Sequence, residues 1–274
     1  MIIGAAIAIV RMGQSPADEV AYLPGYLEIA TGLRTCPDTV MALAFGKSYE
    51  ADFSGGGVAG GSFAAYNFGF IRFSTSEETL SGQSVWHVHW TGRTISHHGT
   101  NRFLLDAATD YWVEKSGKIL RETASKVSYF GASEATCDYF SDHLELSRKI
   151  NGKSSSQSIF PAPSMMDQLN DQFKPMLVDG KIVQREKTFA LLDLYSGGFA
   201  MRSARIGGTF EAKEFDQKFH GHQVVIEFDR YRQSASISDD NDLVRVDLQN
   251  GRSIEMMRLP DNREKDSSFV KGHG

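Results

Sequence analysis

Three short turns constrain this chain more than anything else in it: Lys115-Ser116-Gly117, Asn151-Gly152 and Gln249-Asn250-Gly251, each with strand-like sequence on both sides. Such turns need positive φ, which Gly and Asn tolerate, and loops this short force the strands they join to run antiparallel. The expected fold class is mainly β (α+β): a long curved antiparallel sheet or half-barrel, one covering helix and a short helical N-terminal prelude.

Side-chain pairing selects the register of two of the turns. A three-residue loop with Gly117 left-handed puts Glu114 opposite Lys118 and Val113 opposite Ile119, joining opposite charges and apolar partners. The same loop around Gly251 pairs Val246 with Ile254, Val244 with Met256 and Arg245 with Glu255. A slip of one residue would set charges against apolar side chains. The Asn151-Gly152 pair suits a two-residue turn between Leu144–Ile150 and Lys153–Phe160. The return arm Ser154-Ser155-Ser156-Gln157 has little to bury and reads as an edge strand.

Around these hairpins the chain divides into four parts. Residues 1–15 form a possible signal segment with an apolar run. Residues 16–62 form a helical prelude, with Val20, Leu23, Leu27 and Ala30 at helical spacing, and a Gly-rich linker from Ser54 to Gly61. Residues 63–260 form the antiparallel domain, with a helix near 164–178. Residues 261–274 form a polar tail expected to be disordered. Further strands are expected at Tyr66–Ser74, Val85–Thr91, Arg102–Asp106, Lys187–Tyr195, Phe199–Ile206, Gly208–Glu214 and Val224–Asp229. The helix is expected to start on a Ser164 N-cap and to end near Pro175, with Met165, Met166, Leu169, Phe173, Met176 and Leu177 along one side.

Composition excludes some partners. A net charge of −5 and scattered Lys and Arg leave no electrostatic footprint for nucleic acid. No apolar run reaches membrane-spanning length. Met1 to Val10 is apolar or small, matching a secretory h-region in length but lacking a basic n-region, which predicts a periplasmic or secreted protein. A buried strand there would instead fit a cytoplasmic one. Cys36 and Cys137 are either a long-range disulfide, if the protein meets an oxidising compartment, or two buried thiols.

Motifs for chemistry are sparse, and none calls for a cofactor or names a catalytic residue. Gly46-Lys47-Ser48 lacks the first Gly of a phosphate-binding loop, because Met41 stands there. No G-x-S-x-G elbow is present, and Cys137, Asp138 and His143 are too loosely spaced for a thiol catalyst. Asp106, Asp110 and Glu114 are carboxylates without a geometry that would make them an acid–base pair. Metal candidates are His87 and His89, whose spacing of two puts both on one face of a strand, with His97-His98 and His220/His222 as second pairs. The last of these flanks Gly221 in an expected turn. Solvent-facing histidines are the plain alternative.

The segments Trp112 to Arg121 and Val244 to Arg252 carry a strand–turn–strand signature. Through them, roughly from Phe63 to Pro260, the chain resembles the lipoprotein-localisation (LolA/LolB-like) half-barrels of the bacterial envelope. The resemblance implies an exported protein whose long sheet curls round a helical plug and holds an acyl chain or other apolar ligand. No lipobox Cys follows the apolar start, and residues 17–53 are not covered by the resemblance.

Three functions follow as expectations. The first is a non-catalytic envelope protein that binds or carries an apolar small molecule or lipid, with Trp112, Met165, Met166, Leu169, Phe173, Met176 and Phe228 lining its cavity. The second is an assembly protein acting through a sheet edge or the Ser/Gln-rich arm on an unknown protein partner. The third is a metalloenzyme built on His87, His89 and a second pair.

Overall fold

The computed structural model describes residues 48–59, 63–98, 101–128, 131–178, 180–214, 217–228, 231–240, 242–247, 253–255 and 257–259. The possible signal segment, the helical prelude before Ser48, the turn at 248–252 and the tail lie outside these residues. Among the described residues, strands β1 (Ser48–Ala59), β2 (Phe63–Leu80), β3 (Gln83–His98), β4 (Asn101–Val113), β5 (Ile119–Ser128), β6 (Gly131–Tyr139), β7 (Leu144–Ile150) and β8 (Lys153–Ile159) form an antiparallel meander. The helix α1 (Pro163–Asp171) and a ribbon of β9 (Leu177–Val178) and β10 (Lys181–Ile182) follow. A second antiparallel meander then comprises β11 (Glu186–Leu192), β12 (Phe199–Glu214), β13 (Gln217–Phe228), β14 (Tyr231–Ser238), β15 (Leu243–Asp247) and β16 (Ser253–Glu255). The last strand, β17 (Met257–Leu259), pairs with β1 of the first sheet. The chain thus passes from one sheet to the other between Glu255 and Met257. On the far side, β8 and β11 share no ladder, so the sheets curl towards a barrel without closing.

Turn chemistry set the registers as expected. Val113 stands opposite Ile119, the Glu114 N–H donates to the Lys118 carbonyl at 2.8 Å, and Gly117 has φ of 94°. Asn151 and Gly152, at φ of 49° and 82°, close a two-residue turn with Ile150 opposite Lys153, and β8 is the outermost strand. Arg245 faces Glu255 and Val246 faces Ile254. A further turn of this kind, Ser81-Gly82 between β2 and β3, carries a weaker sequence signal, because Ser is an unusual residue for positive φ.

Several expectations are corrected. The Gly-rich run is no linker through Ala59: it continues β1, with Gly56 opposite Tyr66 and Ser54 opposite Phe68. Backbone ladders form whatever the side chain, and aromatic residues opposite glycines offset the poor strand propensity of Gly. Phe199–Ile206 and Gly208–Glu214 are one strand, interrupted only by a register shift between Ile206 and Gly208. His220-Gly221-His222 lies inside β13 and not in a turn; a Cβ on Gly221 would fall 2.0 Å from the Ile237 carbonyl oxygen, so the glycine permits close strand approach. The helix stops at Asp171, well before Pro175, and its N-cap is Ala162 without a side-chain bond. Pro163 explains the start, since its ring pre-sets helical φ and the missing N–H has no intrahelical partner to lose.

One apolar core joins both sheets to α1. From the first sheet it takes Val88, Tyr111, Val113, Ile119, Cys137, Leu144 and Leu146; from the second, Phe189, Leu191, Ala204, Val224, Ile226, Ala235 and Ile237. Between them lie Met166, Leu169, Phe173 and Met176, and the fully buried Phe173 ring meets Tyr111 edge-on at 5.1 Å. Lys187 on β11, only 5 % exposed, donates from Nζ to the carbonyls of Asp171, Gln172 and Lys174 at 3.1, 2.7 and 2.8 Å. A buried ammonium is costly unless fully bonded, and a helix C-terminus offers the carbonyl oxygens and negative dipole end that satisfy it. At the open side, Arg148 on β7 donates to the Tyr195 carbonyl at 3.0 Å and to Gln157 at 2.7 Å. The seam there is bridged by side chains and not by a ladder.

Truncating Phe173 to Ala should lower unfolding free energy by about 3–5 kcal/mol through cavity formation. Lys187→Met should cost about 1–3 kcal/mol by leaving buried carbonyls without a donor. Urea denaturation of each variant checks both values.

Candidate functional site

The alternation of β3 divides its side chains between two environments. Val88 and Trp90 point into the core, so His87 and His89 stand on the outer wall. Across the β3–β4 ladder His89 is opposite Asp110 and His87 is opposite Trp112; one strand further, Asp110 is opposite Thr123. The two imidazoles converge on one carboxylate oxygen: His87 Nε2 lies 2.9 Å and His89 Nδ1 2.6 Å from Asp110 Oδ1. Thr123 Oγ1 donates to the other Asp110 oxygen at 3.3 Å. His87 Nδ1 bonds Glu78 Oε1 at 2.7 Å, Trp112 Nε1 donates to Glu78 Oε2 at 3.3 Å, and the Trp112 ring stacks on His87 at 4.8 Å. Burial alone would lower the His87 pKa, but the Asp110 hydrogen bond and the Glu78 charge outweigh it and leave it raised. Burial likewise pushes Asp110 up, yet the bonds and charges of the two histidines hold it well below the usual carboxylate range.

The inner wall carries a different sequence of rungs. Val88, Tyr111, Glu122, Cys137 and Leu146 face one another across β3 to β7, and here Tyr139 donates to the buried Glu122 carboxylate at 2.9 Å. The next rung is Trp90, Thr109, Ala124, Ala135 and Arg148, where the three middle side chains are small. Trp90 is 4 % exposed, and its indole N–H meets no acceptor among the described residues. One rung beyond are Gly92, Ala107, Lys126 and Ser133. The Lys126 ammonium sits 4.7 Å over the Tyr195 ring, and burial lowers its pKa against the pull of Asp193. The interior therefore grades from a rung of aromatic and aliphatic side chains that also holds the buried Glu122 carboxylate, through small side chains, to a cation.

These two walls sort the residues singled out by sequence. Met166, Leu169, Phe173 and Met176 belong to the packed core, and Met165 packs against it partly buried. Trp112, expected in the cavity, is on the outer wall. Phe228 ends β13 opposite Tyr231, and its side chain lies outside the described residues. Cys137 is a buried free thiol, and Cys36 lies outside the described residues. His87 and His89 are brought together, but with Asp110 and not with a second histidine pair. His220 and His222 are on β13 of the other sheet, and the His97 and His98 side chains are not described. In the sequence Asp110 is one carboxylate among several, with no motif to mark it. Had β3 and β4 been paired through the two residues that separate them, 99 and 100, His89 would have fallen opposite Asp110.

Comparison with known proteins adds little that is specific. No family model matches the chain, and no curated protein matches it. Among solved structures, it is similar to a β-barrel-like protein of a domain of unknown function (DUF1849) from Brucella abortus, at 10% identity and a TM-score of 0.49. That match covers 78% of this chain and 95% of the other. No helix among the described residues is long and apolar enough to cross a membrane.

Cys137 yields a test of the inner wall. Burial, then the charges of Glu122 and Asp138, push its thiol far above the ordinary range. The unfolded thiol ionises near pH ~8.5 while the folded one does not. Its stabilising contribution is therefore intact below that pH and lost as pH rises above it. Native protein at pH 8 should leave Cys137 unmodified by maleimide, and denatured protein should not; peptide mass mapping reads the difference.

Proposed function

We propose that this protein is a non-catalytic, exported envelope protein that binds an apolar, lipid-like ligand between its curved sheets. The ligand lies along the inner wall, its tail against the aromatic rungs and an oxygen-bearing head towards Lys126 and Arg148. The observation that carries this reading is the buried indole N–H of Trp90, which lacks an acceptor on the row of small side chains Thr109, Ala124 and Ala135. Buried donors in finished interiors are almost always satisfied, and a carboxylate or ester oxygen is the acceptor a lipid brings.

Other features support it. The helix has nine residues and no side-chain cap, too short to be stable by itself, so its place between the sheets depends on the apolar contacts it makes there. Methionines in that segment adapt to varied apolar shapes. The resemblance to lipoprotein-localisation half-barrels points to the same kind of ligand, and the apolar stretch from Met1 to Val10 to export.

Native mass spectrometry of gently purified protein should reveal a one-to-one lipid adduct, and delipidated protein should take up oleate saturably. Trp90→Phe, which removes only the donor and its ring, should weaken oleate about five- to tenfold while leaving the circular dichroism spectrum unchanged. No adduct and no saturable uptake would remove this reading.

A further inference from the structure

We infer that His87, His89 and Asp110 form a binding site for one divalent transition-metal ion of the zinc class on the outer wall of β3 and β4. The three ligand atoms lie within 4.8 Å of one another. Two imidazole nitrogens already point at a single carboxylate oxygen, an arrangement in which a cation can replace the shared hydrogen bonds. Tetrahedral zinc at about 2.0 Å from each donor needs donor separations of about 3.3 Å. Small side-chain rotations therefore open the present 2.6 and 2.9 Å nitrogen–oxygen contacts to that spacing.

A second, independent observation is the outer support of these donors. A metal-bound histidine almost always gives its other ring N–H to a carboxylate, which fixes the ring and raises its basicity. His87 does this: Nε2 faces the site and Nδ1 bonds Glu78, while Trp112 both stacks on the ring and holds the second Glu78 oxygen. Thr123 steadies the second oxygen of Asp110. All six residues are brought into line by three ladders, β2–β3, β3–β4 and β4–β5.

The donor set chooses the ion. Two nitrogens and one oxygen suit zinc or its neighbours, whereas calcium and magnesium demand oxygen ligands. His87 is 19 % and His89 37 % exposed at the side chain, so the ion enters directly from solvent and keeps an open coordination position. The site lies on the face opposite the proposed lipid interior, and neither depends on the other.

Tag-free protein stripped with chelator and titrated calorimetrically with zinc should bind one ion per chain, unaffected by millimolar magnesium. The His87→Ala/His89→Ala double variant should lose that binding. Glu78→Gln, at a residue that touches no ion, should keep one-ion stoichiometry with affinity lowered about 10–100-fold. Cobalt in place of zinc should give visible absorption bands that disappear in the double variant. Absence of saturable uptake by the wild-type protein, or undiminished uptake by a double variant that folds normally by circular dichroism, would overturn the assignment.

Discussion

The structure depends on the segment from Pro163 to Leu177, because both sheets bury their inner faces against it. A curled, unclosed pair of sheets leaves two apolar surfaces facing each other, and neither can stay wet without large hydrophobic cost. Leu169, Phe173 and Met176 fill that space, and Tyr111 from the first sheet and Phe189 from the second join them in one core. Lys187 fixes the end of the segment by satisfying three helix-terminal carbonyls with one ammonium. Burying that charge is tolerable only because every proton finds an acceptor there.

Strand alternation then makes two surfaces of opposite character from the same residues. On β3, Val88 and Trp90 face the interior, while His87 and His89 face out towards Asp110. The inner wall changes along its length from aromatic rings to alanine and threonine and then to Lys126. The outer wall is charged and hydrogen-bonded throughout this region, with Arg93 paired to Asp106 and Arg121 to Asp138, each at 2.6 Å. A largely apolar interior, with the Tyr139-bonded Glu122 at one rung and Lys126 at the end, and an outer wall with a histidine cluster are separate sites on one scaffold.

Much of the fold was legible, for local reasons. Gly117 and Asn151-Gly152 sit at turns whose backbone geometry few other residues adopt, and pairing rules at Val113 or Arg245 then leave one sensible register. Readings failed where a long-range partner overruled local preference. The Gly-rich end of β1 looked like a linker because glycine is a weak strand former, yet β2 supplied a ladder for it. Gly221 looked like a turn, but it is there because a neighbouring strand comes too close for a side chain. Trp112 looked like a core residue, but strand alternation turns it outward beside His87, because Tyr111 and Val113 on either side of it face the core.

By itself the sequence determined the antiparallel class, the hairpin registers, the edge position of β8 and the pairing of His87 with His89 on one face. Those follow from φ preferences, two-residue periodicity and cross-strand charge, all of which act over a few residues. Only tertiary structure decided that Asp110 completes the histidine pair, that Trp90 and the small rung share the interior, and that α1 lies between two sheets. Those depend on which strands become neighbours and which way each face turns, and burial of the shared core settles both across distances that no short stretch of chain encodes.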